Sequence, residues 1–143
     1  MKNIFMLLFV GISLTSCFLN SEPDYDWKPR PIVEEVDCCI TDVQVHGAIY
    51  SALLKLRWNI KEKTETGFVA NIQCDDLQNT RTIKVFFENT NQYYTIAPEQ
   101  EISNIYEYRD CIESKTKKIN KYIKNYIKKS VKRSAKQELN GIN

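Results

Sequence analysis

The chain has 143 residues, of which 43% are hydrophobic and 27% are charged. This composition is typical of a globular protein, and the length suits one domain. A domain of this size can bury a stable core without a metal or another cofactor, so no cofactor is expected. The formal net charge of +2 is too small to indicate nucleic acid as a partner or a strong attraction to membranes.

The first residues have the layout of a secretory signal. Lys2 supplies a positive charge, residues 4–14 form an apolar run, and small residues follow. The run is shorter than the ~20 apolar residues that a transmembrane helix needs. Leu14-Thr15-Ser16-Cys17 resembles the lipobox of bacterial lipoproteins, in which the cysteine is linked to diacylglycerol before cleavage. We therefore expect a lipoprotein signal peptide over 1–16 and a lipid anchor, with acyl chains such as palmitate, at Cys17.

An acylated Cys17 would make the membrane a partner of this chain and place it in the cell envelope. Several acyl chains, at about 0.8 kcal/mol per buried CH₂, make such attachment effectively permanent. Phe18 follows the cysteine, where an Asp would be the usual signal for retention in the inner membrane. We therefore expect the outer membrane, with the domain facing the periplasm.

The segment after the anchor has no sustained hydrophobic period and contains Pro23, Pro29 and Pro31. It is predicted to be a flexible tether over 17–36. Thr41 and Gln44 then fit a capping box, which predicts a helix start. The following apolar positions recur at helical spacing. They are Val45, Ala48, Ile49, Ala52, Leu53 and Leu56.

Three segments after this helix alternate between apolar and polar residues, which is typical of strands with one buried face. The first opens at Gly67, the second covers 80–87, and the third covers 92–97 and ends before Pro98. Helical spacing resumes from Ser114. The prediction is an α+β fold in two layers, αβββα, with a three-stranded antiparallel meander flanked by an N-terminal and a C-terminal helix. The domain is expected over 37–133 and a disordered tail over 134–143.

These segments resemble a family of small uncharacterised bacterial lipoproteins in which a lipobox precedes an αβββα domain. The landmarks, within about 42–131, are Leu56-Arg57-Trp58, Gly67-Phe68-Val69-Ala70, Ile83-Lys84-Val85, Tyr93-Tyr94-Thr95-Ile96, Ser103-Asn104-Ile105-Tyr106 and the helical segment 119–127. The chain departs from the family at Arg57, where the family favours Gly, and in four extra cysteines. The resemblance implies a fold and a location but no catalytic residue.

Those four cysteines are Cys38, Cys39, Cys74 and Cys111. Export favours disulfides, and neighbouring cysteines rarely pair because the ring strains the peptide between them. We therefore expect Cys38 and Cys39 to pair with Cys74 and Cys111, in either of two arrangements. A host without a strong periplasmic oxidant would leave free thiols. A metal site is disfavoured, because adjacent cysteines lack the separation of common zinc knuckles.

The sequence contains no motif that indicates catalysis. His46 is the single histidine and is expected at the surface or at its boundary. Asp75 and Asp76 fall in a predicted turn, where Asp is favoured for local hydrogen bonds. Neither a nucleophile elbow nor a zinc-protease motif occurs. We therefore expect a protein that is not an enzyme.

The C-terminal helix is strongly basic, with ten Lys and Arg and no acidic residue from Lys115 to Lys136. Such a face is most simply solvated, but it also suits an anionic glycan, an anionic lipid or an acidic envelope protein. The residues expected to contact an anionic surface are Lys117, Lys121, Lys124, Lys128 and Lys132. Tyr93, Tyr94, Tyr106 and Tyr108 are expected to pack in the core and sheet rather than form a binding patch.

The function expected from these patterns is a non-catalytic binding or structural module of the envelope. One alternative is a surface-exposed lipoprotein that interacts with a host. The other is a module that binds anionic glycan or lipid through the basic helix.

Overall fold

The computed structural model describes residues 25–37, 39–75, 79–90 and 92–140, with the backbone alone at 138–140. The predicted signal peptide, Cys17 and Cys38 lie outside the described residues. The elements are β1 (Ile32–Glu35), α1 (Asp42–Lys55), β2 (Asn59–Lys63), β3 (Gly67–Asp75), β4 (Thr80–Asn89), β5 (Tyr93–Pro98), a short 3₁₀ turn (Ile105–Tyr108) and α2 (Arg109–Asn140).

The sheet has five antiparallel strands in the order β1-β5-β4-β3-β2. The prediction of a three-stranded meander was therefore wrong, although β3, β4 and β5 form the expected meander at the centre. Each missed strand lies at an edge. β2 has a polar sequence, and its register shifts between Ile60 and Glu62. Edge strands are often charged and irregular, so periodicity does not reveal them.

The other missed strand, β1, lies in the segment expected to be a tether. It follows Pro31 and pairs with β5, with Ile32 opposite Ile96 and Glu35 opposite Tyr93. The sequence of β1, two apolar residues followed by two acidic residues, has no clear hydrophobic period. Such a short strand can be identified only once its pairing with β5 is known. At the other end of the chain, α2 continues to Asn140 through much of the predicted tail.

The first helix confirms its predicted start. Thr41 Oγ1 accepts a hydrogen bond from the Gln44 backbone at 3.3 Å, and Gln44 Oε1 accepts one from the Thr41 backbone at 2.9 Å. This is a complete capping box. The predicted apolar stripe is also confirmed, since five of its residues are buried: Val45, Ala48, Ile49, Ala52 and Leu53.

Arg57 follows α1 in an unusual backbone conformation. Its φ of 56° is in the left-handed region, and the Trp58 amide donates to the Leu53 carbonyl at 3.0 Å. This is a helix-terminating geometry that glycine adopts with the least strain. Arg57 therefore adopts a conformation that is strained for a residue with a side chain.

The sheet buries one face against both helices. Inward-pointing residues alternate along β3 and β4, as predicted, with Phe68, Ala70 and Ile72 on β3. Gly67 is required at the start of β3, because a Cβ there would lie 1.9 Å from the Phe87 carbonyl oxygen. From α2, the core receives Ile112, Ile119 and Ile123.

The two helices run antiparallel in one layer. Near the start of α1, Gln44 Nε2 donates a hydrogen bond of 3.2 Å to Ser134 Oγ, late in α2. α2 begins at Arg109, five residues before the predicted start at Ser114, because the 3₁₀ turn leads directly into it.

A disulfide joins Cys74, on β3, to Cys111 in the first turn of α2, with an S–S distance of 2.03 Å. Both favoured arrangements were wrong, since each required these two cysteines to pair with Cys38 and Cys39. The reason is tertiary. Cys74 is an inward-pointing residue at the end of β3, and packing brings its Cα within 5.8 Å of that of Cys111. Cys39 is exposed.

Candidate functional site

A groove of about 500 Å³ lies where the N-terminal segment crosses the start of α2. We call it the Trp27 groove. Its lining combines an aromatic ring, prolines and aliphatic side chains with charged groups. The lining residues are Trp27, Pro29, Arg30, Pro31, Ile32, Pro98, Arg109, Ile112, Glu113, Thr116 and Lys117.

Contacts on several sides hold the N-terminal segment in place. The Tyr25 and Tyr106 rings meet edge to face, with centroids 4.8 Å apart. Gln100 Nε2 donates a hydrogen bond of 3.3 Å to the Pro29 carbonyl. The Arg109 guanidinium carbon lies 5.7 Å from the centre of the Trp27 ring. The wall of the groove is therefore part of the folded domain, as pre-formed ligand sites usually are.

The charges that line the groove are mainly positive. Glu113 is paired on both sides, with Arg109 Nε at 3.2 Å and Lys117 Nζ at 3.2 Å. Both pairs lower the pKa of the Glu113 carboxyl, and the pair with Lys117 has the larger effect. Arg30 is exposed and forms no ion pair with the described residues. Three cations and one carboxylate give a groove that suits an acidic group.

The basic face of α2 extends from this groove. The five predicted lysines recur every three or four residues, which places them on one side of the helix. Ile112, Ile119 and Ile123 face the core from the other side. Lys121, Lys128 and Lys132 are exposed and pair with no carboxylate in the described part of the chain. The remaining two, Lys117 and Lys124, bind Glu113 and Glu34.

Lys124 is thus part of a structural network and not only a surface charge. Its Nζ lies 2.8 Å from Glu34 Oε1, and Asn120 Nδ2 donates a hydrogen bond of 2.6 Å to the same oxygen. The pKa of the Glu34 carboxyl is lowered, mainly by the Lys124 ammonium. Desolvation raises this pKa, and the hydrogen bond from Asn120 lowers it further. These contacts between Glu34, Lys124 and Asn120 connect β1 to α2.

The other candidates from the sequence have structural surroundings. His46 Nδ1 lies 3.3 Å from Asn89 Oδ1, and its ring packs on Phe68 at 4.3 Å between centroids. Asp75 accepts a hydrogen bond of 2.6 Å from Thr80 Oγ1, and Asp76 lies outside the described residues. Within the described ranges no three metal-ligating side chains cluster.

The four tyrosines are divided between the core and the surface. Tyr94 and Tyr108 are buried, whereas Tyr93 is 43% exposed and Tyr106 contacts Tyr25. They therefore do not form one exposed patch, and the two buried rings confirm the expected packing.

Sequence reasoning missed Trp27, Arg30 and Arg109 as candidate binding residues. A tryptophan and a nearby arginine inside a supposed tether were the available signal, because a flexible linker rarely needs a large aromatic ring. Arg109 could not be assigned to the same site before α2 was placed beside that segment.

No protein-family model, curated protein or solved structure matches the chain. The resemblance to a lipoprotein family therefore stays a prediction. Among the described residues, no helix combines the length and the apolar character that crossing a bilayer requires.

Proposed function

We propose that this chain is a lipid-anchored protein of the bacterial cell envelope that acts by binding an acidic carbohydrate in the Trp27 groove. The lipobox-like segment ending at Cys17 supports the anchor. The observation that carries the binding role is the juxtaposition of the Trp27 ring with Arg30, Arg109 and Lys117 around one groove.

An acidic sugar residue has both features that this lining complements. Its ring presents a flat face of C–H groups, which packs on an aromatic side chain. Its carboxylate matches the planar donor fork of an arginine, which binds carboxylates through two parallel hydrogen bonds. The volume of about 500 Å³ lies within the range of small-molecule sites.

The lysines of α2 extend this site for a longer acidic polymer. Lys117 lies at the groove, and Lys121 follows one turn later on the same helix face. Exposed charge pairs each contribute little and are screened by salt. The lysines should therefore add salt-sensitive avidity, while the groove supplies selectivity for the acidic sugar.

Titration calorimetry tests the binding role on the mature chain, residues 17–143, with Cys17→Ser to remove the acylation site. The probe is polygalacturonate, and the neutral control polymer is dextran. We expect binding to polygalacturonate alone, weakened by added salt. Arg30→Gln should weaken it several-fold, because the variant removes a groove cation.

Lys118→Gln is the matched control, since it removes one positive charge from α2 outside the groove lining. Equal losses in the two variants would mean that net charge, and not the groove, drives binding. Binding of dextran with the same affinity would contradict recognition of an acidic sugar.

The anchor is tested separately by the intact mass of the protein from native membranes, compared with a Cys17→Ala form. The expected mass lacks residues 1–16 and includes acyl chains. A soluble product without acyl chains would refute the anchor and would leave the groove unaffected.

A further inference from the structure

The outward side of α1 is apolar and is largely uncovered in the described part of the chain, although the Tyr50 ring stacks on Phe68 of β3 with centroids 5.8 Å apart. Val43, Gly47, Tyr50 and Leu54 recur at intervals of three or four residues and form one stripe. Val43 is 81% exposed, Leu54 54% and Tyr50 40%. The buried stripe occupies the opposite side of the same helix.

A helix that is apolar on both sides is normally covered on both sides. Between its terminal residues Asp42 and Lys55, α1 contains no Asp, Glu, Lys or Arg, so no charged side chain of this helix lies within the stripe. The centre of the stripe, at Gly47, is open, because a Cβ placed on this glycine would have no heavy atom within 4 Å. The stripe is therefore accessible to an apolar partner outside the described fold.

Positive charge borders the stripe on two sides. A groove of about 380 Å³ separates α1 from α2, and its lining includes Lys129 and Arg133 but no acidic residue. Across the stripe, Lys63 Nζ lies 5.5 Å from the centre of the Tyr50 ring. The outer surface of the helix layer thus combines an apolar stripe with a basic border.

We propose that this surface, made of the α1 stripe with Lys129 and Arg133, docks on a membrane that contains anionic phospholipid. Apolar side chains would enter the interface, Tyr50 would lie at headgroup level, and the cations would bind lipid phosphates. The charge pattern complements an anionic bilayer and is that of proteins that lie on membranes.

The length of the chain before the fold supports a membrane as the occupant. The proposal relies here on the anchor at Cys17 proposed above. Cys17 and Tyr25 are eight positions apart in the sequence, and at about 3.5 Å per position a chain of this length spans at most roughly 28 Å. An anchored domain would remain within about its own diameter of the bilayer, so that even a weak surface affinity would suffice.

A second copy of the chain fits the surface less well. The stripe belongs to one 14-residue helix, about 21 Å long and 10 Å wide. This area is far below the roughly 800 Å² per partner of a stable interface.

Membrane docking leaves the Trp27 groove open. Glu113 of that groove and Lys129 of the docking surface are sixteen residues apart on α2. At about 100° per residue they point in directions roughly 160° apart. The two surfaces can therefore be occupied at the same time, and their functions can be tested independently.

Vesicle flotation of the same mature chain with Cys17→Ser tests the docking surface, because this form contains every described element and has no lipid of its own. One set of vesicles contains phosphatidylglycerol with phosphatidylethanolamine, and the other contains phosphatidylcholine alone. We expect flotation with the anionic vesicles only. Val43→Ser with Leu54→Ser should lower the partition coefficient roughly tenfold or more.

Two double variants are matched controls. Val33→Ser with Phe86→Ser removes exposed apolar side chains from the sheet and should preserve flotation. The charge test is Lys129→Gln with Arg133→Gln, which should reduce flotation. Its control is Lys28→Gln with Lys61→Gln, which removes the same amount of charge elsewhere and should not reduce flotation.

The proposal is overturned if the chain does not float with anionic vesicles or if the stripe variant floats as well as its control. Sedimentation that shows a dimer, lost in the stripe variant, would overturn it in favour of a second copy. Circular dichroism of each variant shows whether it is folded. Because this protein carries no lipid, failure here is distinguishable from failure of the anchor.

Discussion

The hydroxyl of Tyr94 donates a hydrogen bond of 2.6 Å to Asn120 Oδ1, and this contact joins the central part of the sheet to α2. The Tyr94 side chain is almost completely buried. Burial, with a smaller contribution from the Glu34 charge, raises the pKa of its hydroxyl. Since Asn120 also binds Glu34, one polar network connects β5, α2 and the edge strand β1.

Tyr94→Phe should destabilise the fold by about 1 kcal/mol, or up to about 3 if Asn120 Oδ1 is left without a donor. The ring remains, so the change removes little packing. Urea unfolding gives the difference in free energy. Tyr93→Phe is the matched control, because that ring is 43% exposed, and it should change stability little. Equal effects of the two variants would contradict a role for the buried hydrogen bond.

Glu34 should contribute a pH-dependent part of the stability. Its pKa in the folded state is lowered from 4.5, mainly by Lys124. This contribution is therefore present above about pH 4.5 and is lost as the pH falls through the folded-state pKa. Glu34→Gln should be less stable than the natural chain at neutral pH, and the difference should shrink in acid.

Unfolding midpoints measured from neutral pH down to acid test this dependence. Glu35→Gln changes the exposed neighbour on the same strand and should follow the natural chain. A constant difference between the Glu34 variant and the natural chain at every pH would refute the assignment.

The disulfide should stabilise the fold by about 3 to 4 kcal/mol in the chain-entropy model, because it closes a loop with a sequence separation of 37. Cys74→Ala with Cys111→Ala should lower the free energy of unfolding by about this amount. Peptide mapping without reduction tests the pairing directly. A peptide that links Cys74 to Cys38 or Cys39 would contradict the structure.

Two glycines should respond in opposite ways to alanine. Gly67→Ala places a Cβ against the Phe87 carbonyl oxygen and should destabilise by about 1 to 3 kcal/mol or more. Gly47→Ala meets open space inside a helix and should stabilise by about 0.5 to 1 kcal/mol. Thermal unfolding compares them. An unchanged or higher stability of the Gly67 variant would contradict the close approach at that residue.

Local patterns were enough to predict the elements that bury one face. The capping box at Thr41 and the period-two alternation from Phe68 need only neighbouring residues, because backbone geometry sets which side chains share a face. The start of α1, its buried stripe and the central meander were therefore predictable. The edge strands were not, since β2 is mostly polar and β1 has only four residues.

The candidate sites depend on long-range packing. Trp27 and Arg109 are far apart in the sequence and meet only because β1 adds to the sheet and carries the N-terminal segment across α2. The exposed stripe on α1 is visible in the sequence as apolar residues. Only the fold shows that most of this side of the helix is left uncovered.

By itself the sequence determined the central strands, the first helix, the basic character of α2 and the expectation of an anchor at Cys17, because each follows from residues adjacent along the chain or at a fixed helical or strand period. Tertiary structure alone decided the five-stranded order, the Cys74–Cys111 pairing and the Trp27 groove. The physical reason is that strand neighbours, cysteine partners and groove walls are selected by which buried faces pack together, and that choice depends on the whole core.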